Sequence, residues 1–180
     1  MPSPPPRTPR TVTDLVTDAA AGAAAGALAT VPMSGLMLLA QRLGLMGVQP
    51  PRRITDAALG TVGARPSERA RRALTALDHL AFGAGAGAVF AVLQRAVPRA
   101  VPRPLLGAAH GLLVWAVSYA GWVAAAGIMP PAHRDRTDRQ TAMVAAHLVY
   151  GSVLGAATAR LLRPHAPTPH APTTGPRPVP

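Results

Sequence analysis

The sequence predicts an all-α integral membrane protein: four transmembrane helices, arranged as two tandem helix-loop-helix repeats with Gly/Ala-rich packing, between disordered Pro-rich tails. Three observations lead there. Four apolar runs approach the roughly 20 residues that cross a bilayer. The stretch HLAFGAGAG, from His79 to Gly87, returns as HLVYGSVLG, from His147 to Gly155. Each run also carries a Gly-x-x-x-Gly pair. The 180-residue chain is 49% hydrophobic and 14% charged, and its mean hydropathy of +0.22 averages apolar runs with polar tails.

Residues 1–18 are rich in Pro and polar side chains and read as a disordered tail. The first apolar run is long enough to span and follows a Pro-containing lead, so it reads as a helix and not as a signal peptide. The predicted membrane domain covers residues 19–162, with helices at 19–40, 77–97, 105–129 and 141–162. Residues 163–180 return to Pro, Thr and His and read as a second disordered tail, in which His165 and His170 are solvated.

Within the first run, Pro32 removes a backbone donor and predicts a helix kink. Gly22/Gly26, Gly83/Gly87, Gly107/Gly111 and Gly151/Gly155 predict close helix packing, since small residues let backbones approach. GAAAGAL (22–28) resembles GAAHGLL (107–113), and each is followed by a Pro-Pro pair, arginines and a Thr-Asp before the His-Leu helix. Each unit crosses twice, so the copies are expected as parallel repeats with both termini on one side.

His79 and His147 share a broad helix face with their glycines and are expected to point into the bundle, near the Pro-Pro loops. His110 enters from the opposite side, roughly 15 Å away along the membrane normal. These three are the candidate intramembrane polar or ligand residues. Their readings are interhelical hydrogen bonding, proton or substrate handling, or haem or metal binding; three-histidine metal coordination does not fit the depths. Asp78 reads as a helix-end residue. Trp115, Tyr119 and Trp122 form a stripe on the third helix, read as packing or lipid-facing, or else as an aromatic ligand wall. The segment 65–77, with Pro66 and Ser67 as helix-start signals, reads as an interfacial helix leading into the second span.

The net charge is +11, and all 18 basic residues are Arg. Set between apolar runs, these arginines suit anionic lipid headgroups, with Arg52, Arg53, Arg69 and Arg72 as candidate contacts. No nucleic-acid-reading motif is present, so no nucleic-acid partner is expected. Arg divides almost evenly between the two membrane sides and sets no orientation. The absence of Cys excludes disulfides and thiolate chemistry. No nucleophile elbow, Walker loop or HExxH occurs, so neither enzymatic activity nor a cofactor or metal is expected.

The stretches TVPMS, PPRRITD and HLAFGAGAGAVF, then GLLVWAVSYAGWVAAAGIMPPA and MVAAHLVYGSVLG, resemble the YagU-like family of small bacterial inner-membrane proteins. The resemblance runs from about residue 19 to 162. It implies a multi-pass inner-membrane protein of uncharacterised function and supplies no catalytic residue. The functional readings are a small carrier, channel or stress-related component with a histidine seam; a structural or partner-organising protein; or a haem- or quinone-linked subunit. Self-association through small-residue faces is the expected mode of assembly.

Overall fold

The computed structural model describes residues 11–98 and 100–162. Both proposed tails, beyond the part noted below, lie outside these residues. Among the described residues the chain is helical with no strand. Helix α1 is Val12–Arg42, α2 is Pro50–Thr61 and α3 is Glu68–Leu93. Helix α4 is Arg103–Trp115, followed without a break by a π-helical segment, Ala116–Trp122, and the short α5, Val123–Ala125. Helix α6 is Thr137–Leu161. Four stretches are long and apolar enough to cross a membrane: Val12–Arg42, Glu68–Ala96, Arg103–Ala125 and Thr137–Leu161. The fold is thus that of a multi-pass membrane protein.

Helix α1 starts seven residues before the expected position. Thr11 and Asp14 form a reciprocal capping box, each side chain bonding the other's backbone N–H, and this overrides the Pro-rich lead. Asp18, assigned to the tail, is instead buried in the helix at 3% exposure. Helix α1 continues through Pro32 as one helix. Helix α2 replaces an expected loop: Pro50 and Pro51 occupy its first positions, where a missing N–H costs nothing. Ser67 does cap a helix, but residues 68–93 form one continuous α3 and not an interfacial helix followed by a span.

The third span is also shorter and less regular than expected. Gly121 has φ −96° and ψ −108°, outside the helical region, and the Ser118 hydroxyl donates to the Val114 carbonyl at 2.6 Å. Together they favour the wider turn. Gly127, at φ +70°, then closes the span: its N–H bonds Ala124, and that of Ile128 reaches back to Val123. This is a Schellman stop.

Helix α1 packs along α3, and α4 along α6. The two hairpins meet mainly through α1 against α6, which form the middle of the bundle. The core is Ala- and Met-rich, with Ala25, Ala29, Met33, Met37, Met143 and Ala146 at 5% exposure or less. Leu28, Val31, Leu77, Leu113 and Val117, all exposed, form part of the outer surface that meets lipid. At the terminal end, buried Asp18 accepts from Arg95, and Arg103 donates to the carbonyls of Gln94 and Val97.

Candidate functional site

The glycine pairs set how closely the helices lie. A methyl group on Gly87 would fall on the Gly22 carbonyl and 2.8 Å from the Gly26 Cα. One on Gly107 would fall on the Gly151 carbonyl and 2.9 Å from the Gly155 Cα. Gly26 likewise faces Gly83, and Gly111 faces the His147 carbonyl. The two hairpins use different registers. Gly22 meets the carbonyl of the second glycine of its partner helix, whereas Gly107 meets that of the first. The offset is four residues, or about 6 Å of slide along the axis.

Tight packing at the glycines leaves space at the Pro-Pro end, where a cavity of about 160 Å³ opens. All four spans contribute. Met33 and Met37 come from α1, His79 and Phe82 from α3, and Met143 and His147 from α6. Pro50, Pro51 and Ile54 of α2 form the outer wall, and the π segment supplies Ser118, Tyr119 and Trp122. A space of about 20 Å³, lined by Thr30, Gly83 and Tyr150 among others, lies one turn deeper. There the Tyr150 hydroxyl donates to the Gly83 carbonyl at 2.7 Å, tying α6 to α3.

Both repeated histidines reach this cavity. His147 is buried at 5% exposure, and its Nδ1 lies 2.8 Å from the Met143 carbonyl. A carbonyl only accepts, so Nδ1 carries a hydrogen, and in the neutral form of the ring the lone pair is on Nε2. His79 Nδ1 bonds the Ser34 hydroxyl of α1 at 3.2 Å. His110 is elsewhere: its Nε2–H donates to the Ala86 carbonyl at 3.0 Å, joining α4 to α3, and its ring packs on Phe90. Ala86 lies seven residues along α3 from His79, about 10 Å of rise, which separates His110 from the pair. Among the described residues, no group of three His, Asp or Glu side chains is placed to hold a metal.

The aromatic stripe divides. Trp115 stacks on Tyr119 with ring centroids 6.1 Å apart, while Tyr119 and Trp122 form cavity wall. Beneath the wall, the Tyr119 hydroxyl donates to Asp135, whose carboxylate also pairs with Arg139 at 3.4 Å. These last two side chains are nearly buried, and neither stood out in the sequence because each lies in an Arg- and Asp-rich loop region. Asp78 also lines the cavity and accepts from Thr55 of α2 at 2.9 Å. Met33, Met37 and Met143 could not be singled out either, since a Met on an apolar helix face reads as ordinary core.

The arginines are not equally free. Arg52 grips Glu68 with two bonds of 2.9 and 3.0 Å and holds Asp56 through Nε. Its hydrogen bond to Glu68 raises its pKa above the ordinary value. Arg72 also bonds Glu68, at 3.1 Å. Arg69 is exposed, and the Arg53 Nε is buried without a partner among the described residues.

A family model, described as a family of unknown function (DUF6789), matches residues 16–168. The chain belongs to DUF6789. No curated protein and no solved structure matches it. Membership in DUF6789 places the four spans and the cavity within one family unit, and assigns no residue a role.

Proposed function

We propose that this DUF6789 protein is a non-enzymatic, multi-pass protein of a bacterial inner membrane that holds a small ligand in the cavity at its Pro-Pro end. The observation that carries this is the cavity itself: about 160 Å³, walled largely by apolar side chains, with His79 and His147 converging on it. An apolar chamber with a few convergent polar groups is the usual form of a small-molecule site. The space narrows to about 20 Å³ one turn inward and ends at the Tyr150–Gly83 bond, which favours a blind binding chamber, as in a carrier, over an open channel.

The resemblance to the YagU-like inner-membrane family and the Lys-free, Arg-rich composition support the bacterial membrane setting. Four spans support both termini on one side. Arg69 and Arg53 are the arginines we assign to anionic headgroups, because Arg52 and Arg72 are held by acids. We assign no nucleic-acid partner, and self-association through the remaining small-residue faces.

The test is a solute screen by thermal stabilisation of the detergent-purified chain, wild type beside His147→Leu. Stabilisation by a solute, lost in a variant that still folds, supports the ligand chamber. A second reading, a structural protein whose histidines join helices, draws on the His79–Ser34 and His110–Ala86 bonds. It predicts that His79→Leu weakens assembly and that no solute stabilises the wild type.

A further inference from the structure

The cavity wall is selective in its chemistry. Asp78 is its one charged side chain among the described residues. One of its oxygens accepts from Thr55, which leaves the second for another donor. In their neutral form His79 and His147, both on the wall, each carry one ring lone pair. The hydroxyl donors are committed, Ser118 to the Val114 carbonyl and Tyr119 to Asp135. Three aromatic rings, Phe82, Tyr119 and Trp122, complete the wall. A carboxylate, a lone pair and aromatic faces in an apolar chamber complement a positive charge, because ring faces attract cations electrostatically.

Size and access agree. The volume is close to that of a cavity of about 150 Å³ known to hold benzene. Phe82, Ser118 and Trp122 also line a crevice of about 390 Å³ between α3 and α4. Its other walls include Val89, Leu113 and Val117, which are exposed on the lipid-facing surface. The chamber and this outward-facing crevice therefore adjoin, with Phe82, Ser118 and Trp122 as their common wall.

We infer that the cavity takes a lipophilic monocation, an ammonium compound whose charged head sits between Asp78 and the rings of Phe82 and Trp122 and whose apolar part extends into the α3–α4 crevice. This rests on the proposal that the cavity is a ligand site. The probe is benzyltrimethylammonium, with neopentylbenzene as the neutral isostere, added to the full chain in a maltoside detergent.

The expected result is saturable thermal stabilisation by the cation and none by the isostere. Asp78→Asn, which keeps an oxygen for Thr55, should raise the Kd about fivefold without changing helicity, as removal of a close but exposed charge implies. If Asp78→Asn does not fold, Trp122→Leu should raise the Kd by roughly fivefold, the loss of one ring face. Equal stabilisation by cation and isostere, with neither variant altering the Kd, overturns the cationic class and leaves the ligand chamber standing. No stabilisation by either probe overturns the cationic class, and if the wider solute screen also finds no ligand, the chamber reading falls with it.

Discussion

Gly87 and Gly85 lie two residues apart on α3 and offer opposite outcomes for the same substitution. A methyl group at Gly87 would lie 2.8 Å from the Gly26 Cα, and the Gly22 carbonyl stands in its way. Both obstacles are backbone of a packed helix, so no side chain can swing aside. Carbon atoms settle at roughly 3.5–4.0 Å, so α1 and α3 must part by roughly 0.7 Å or more. A gap of that size forfeits a quarter to a half of each contact's attraction along the seam. Overpacking of this kind costs about 1–3 kcal/mol, against which Ala regains up to about 1 kcal/mol of helix propensity. Gly87→Ala should therefore destabilise by up to about 2 kcal/mol. At Gly85 an added methyl meets nothing within 4 Å, so only the propensity gain remains and Gly85→Ala should be neutral or slightly stabilising. Thermal melts followed by circular dichroism in one detergent compare the two. Equal midpoints, or a Gly87→Ala midpoint above the Gly85→Ala one, would refute the close helix contact.

Three further outcomes follow from polar groups. Arg95→Ala strands the buried Asp18 carboxylate; because Arg95 is 39% exposed, the loss should be about 1–3 kcal/mol, read by the same melts. Tyr119→Phe removes one of the donors to Asp135 but leaves Arg139, so it should cost about 1–2 kcal/mol in the same melts, and a midpoint equal to wild type would count against the buried network. His110→Leu removes the His110 bond between α3 and α4, and a loss of about 0.6 kcal/mol is expected in the same melts.

The four spans were legible because each apolar run is long enough to need a membrane, and the glycine pairs because their spacing repeats. Helix α2 was not, because Pro50-Pro51 followed by arginines reads as loop when the same prolines are taken as breakers instead of starters. Asp18 was lost to the tail for a related reason. The Thr11–Asp14 box that begins its helix lies beyond a Pro-rich lead whose composition dominated the reading. Of the site, the sequence indicated that His79 and His147 point into the bundle near the Pro-Pro loops, and both line the cavity. It could not indicate Ser118 or the methionines. The place of Ser118 depends on where the π segment turns the third span, and that of the methionines on which apolar face meets the cavity; both follow from tertiary packing and not from any local pattern.

The pairing of α1 with α6 has a consequence for how the protein is made. Of the four spans described, these are the first and last to leave the ribosome, yet they share the middle of the bundle. At 5–20 residues per second, the interval between their emergence is roughly ten seconds. During that time α1 can settle against α2 and α3, but the side of Met33 and Met37 that α6 will cover has only lipid or the insertion machinery for company. The nascent chain thus spends its longest wait with its core-forming face unpartnered, and the chamber comes into being only when the final helix arrives.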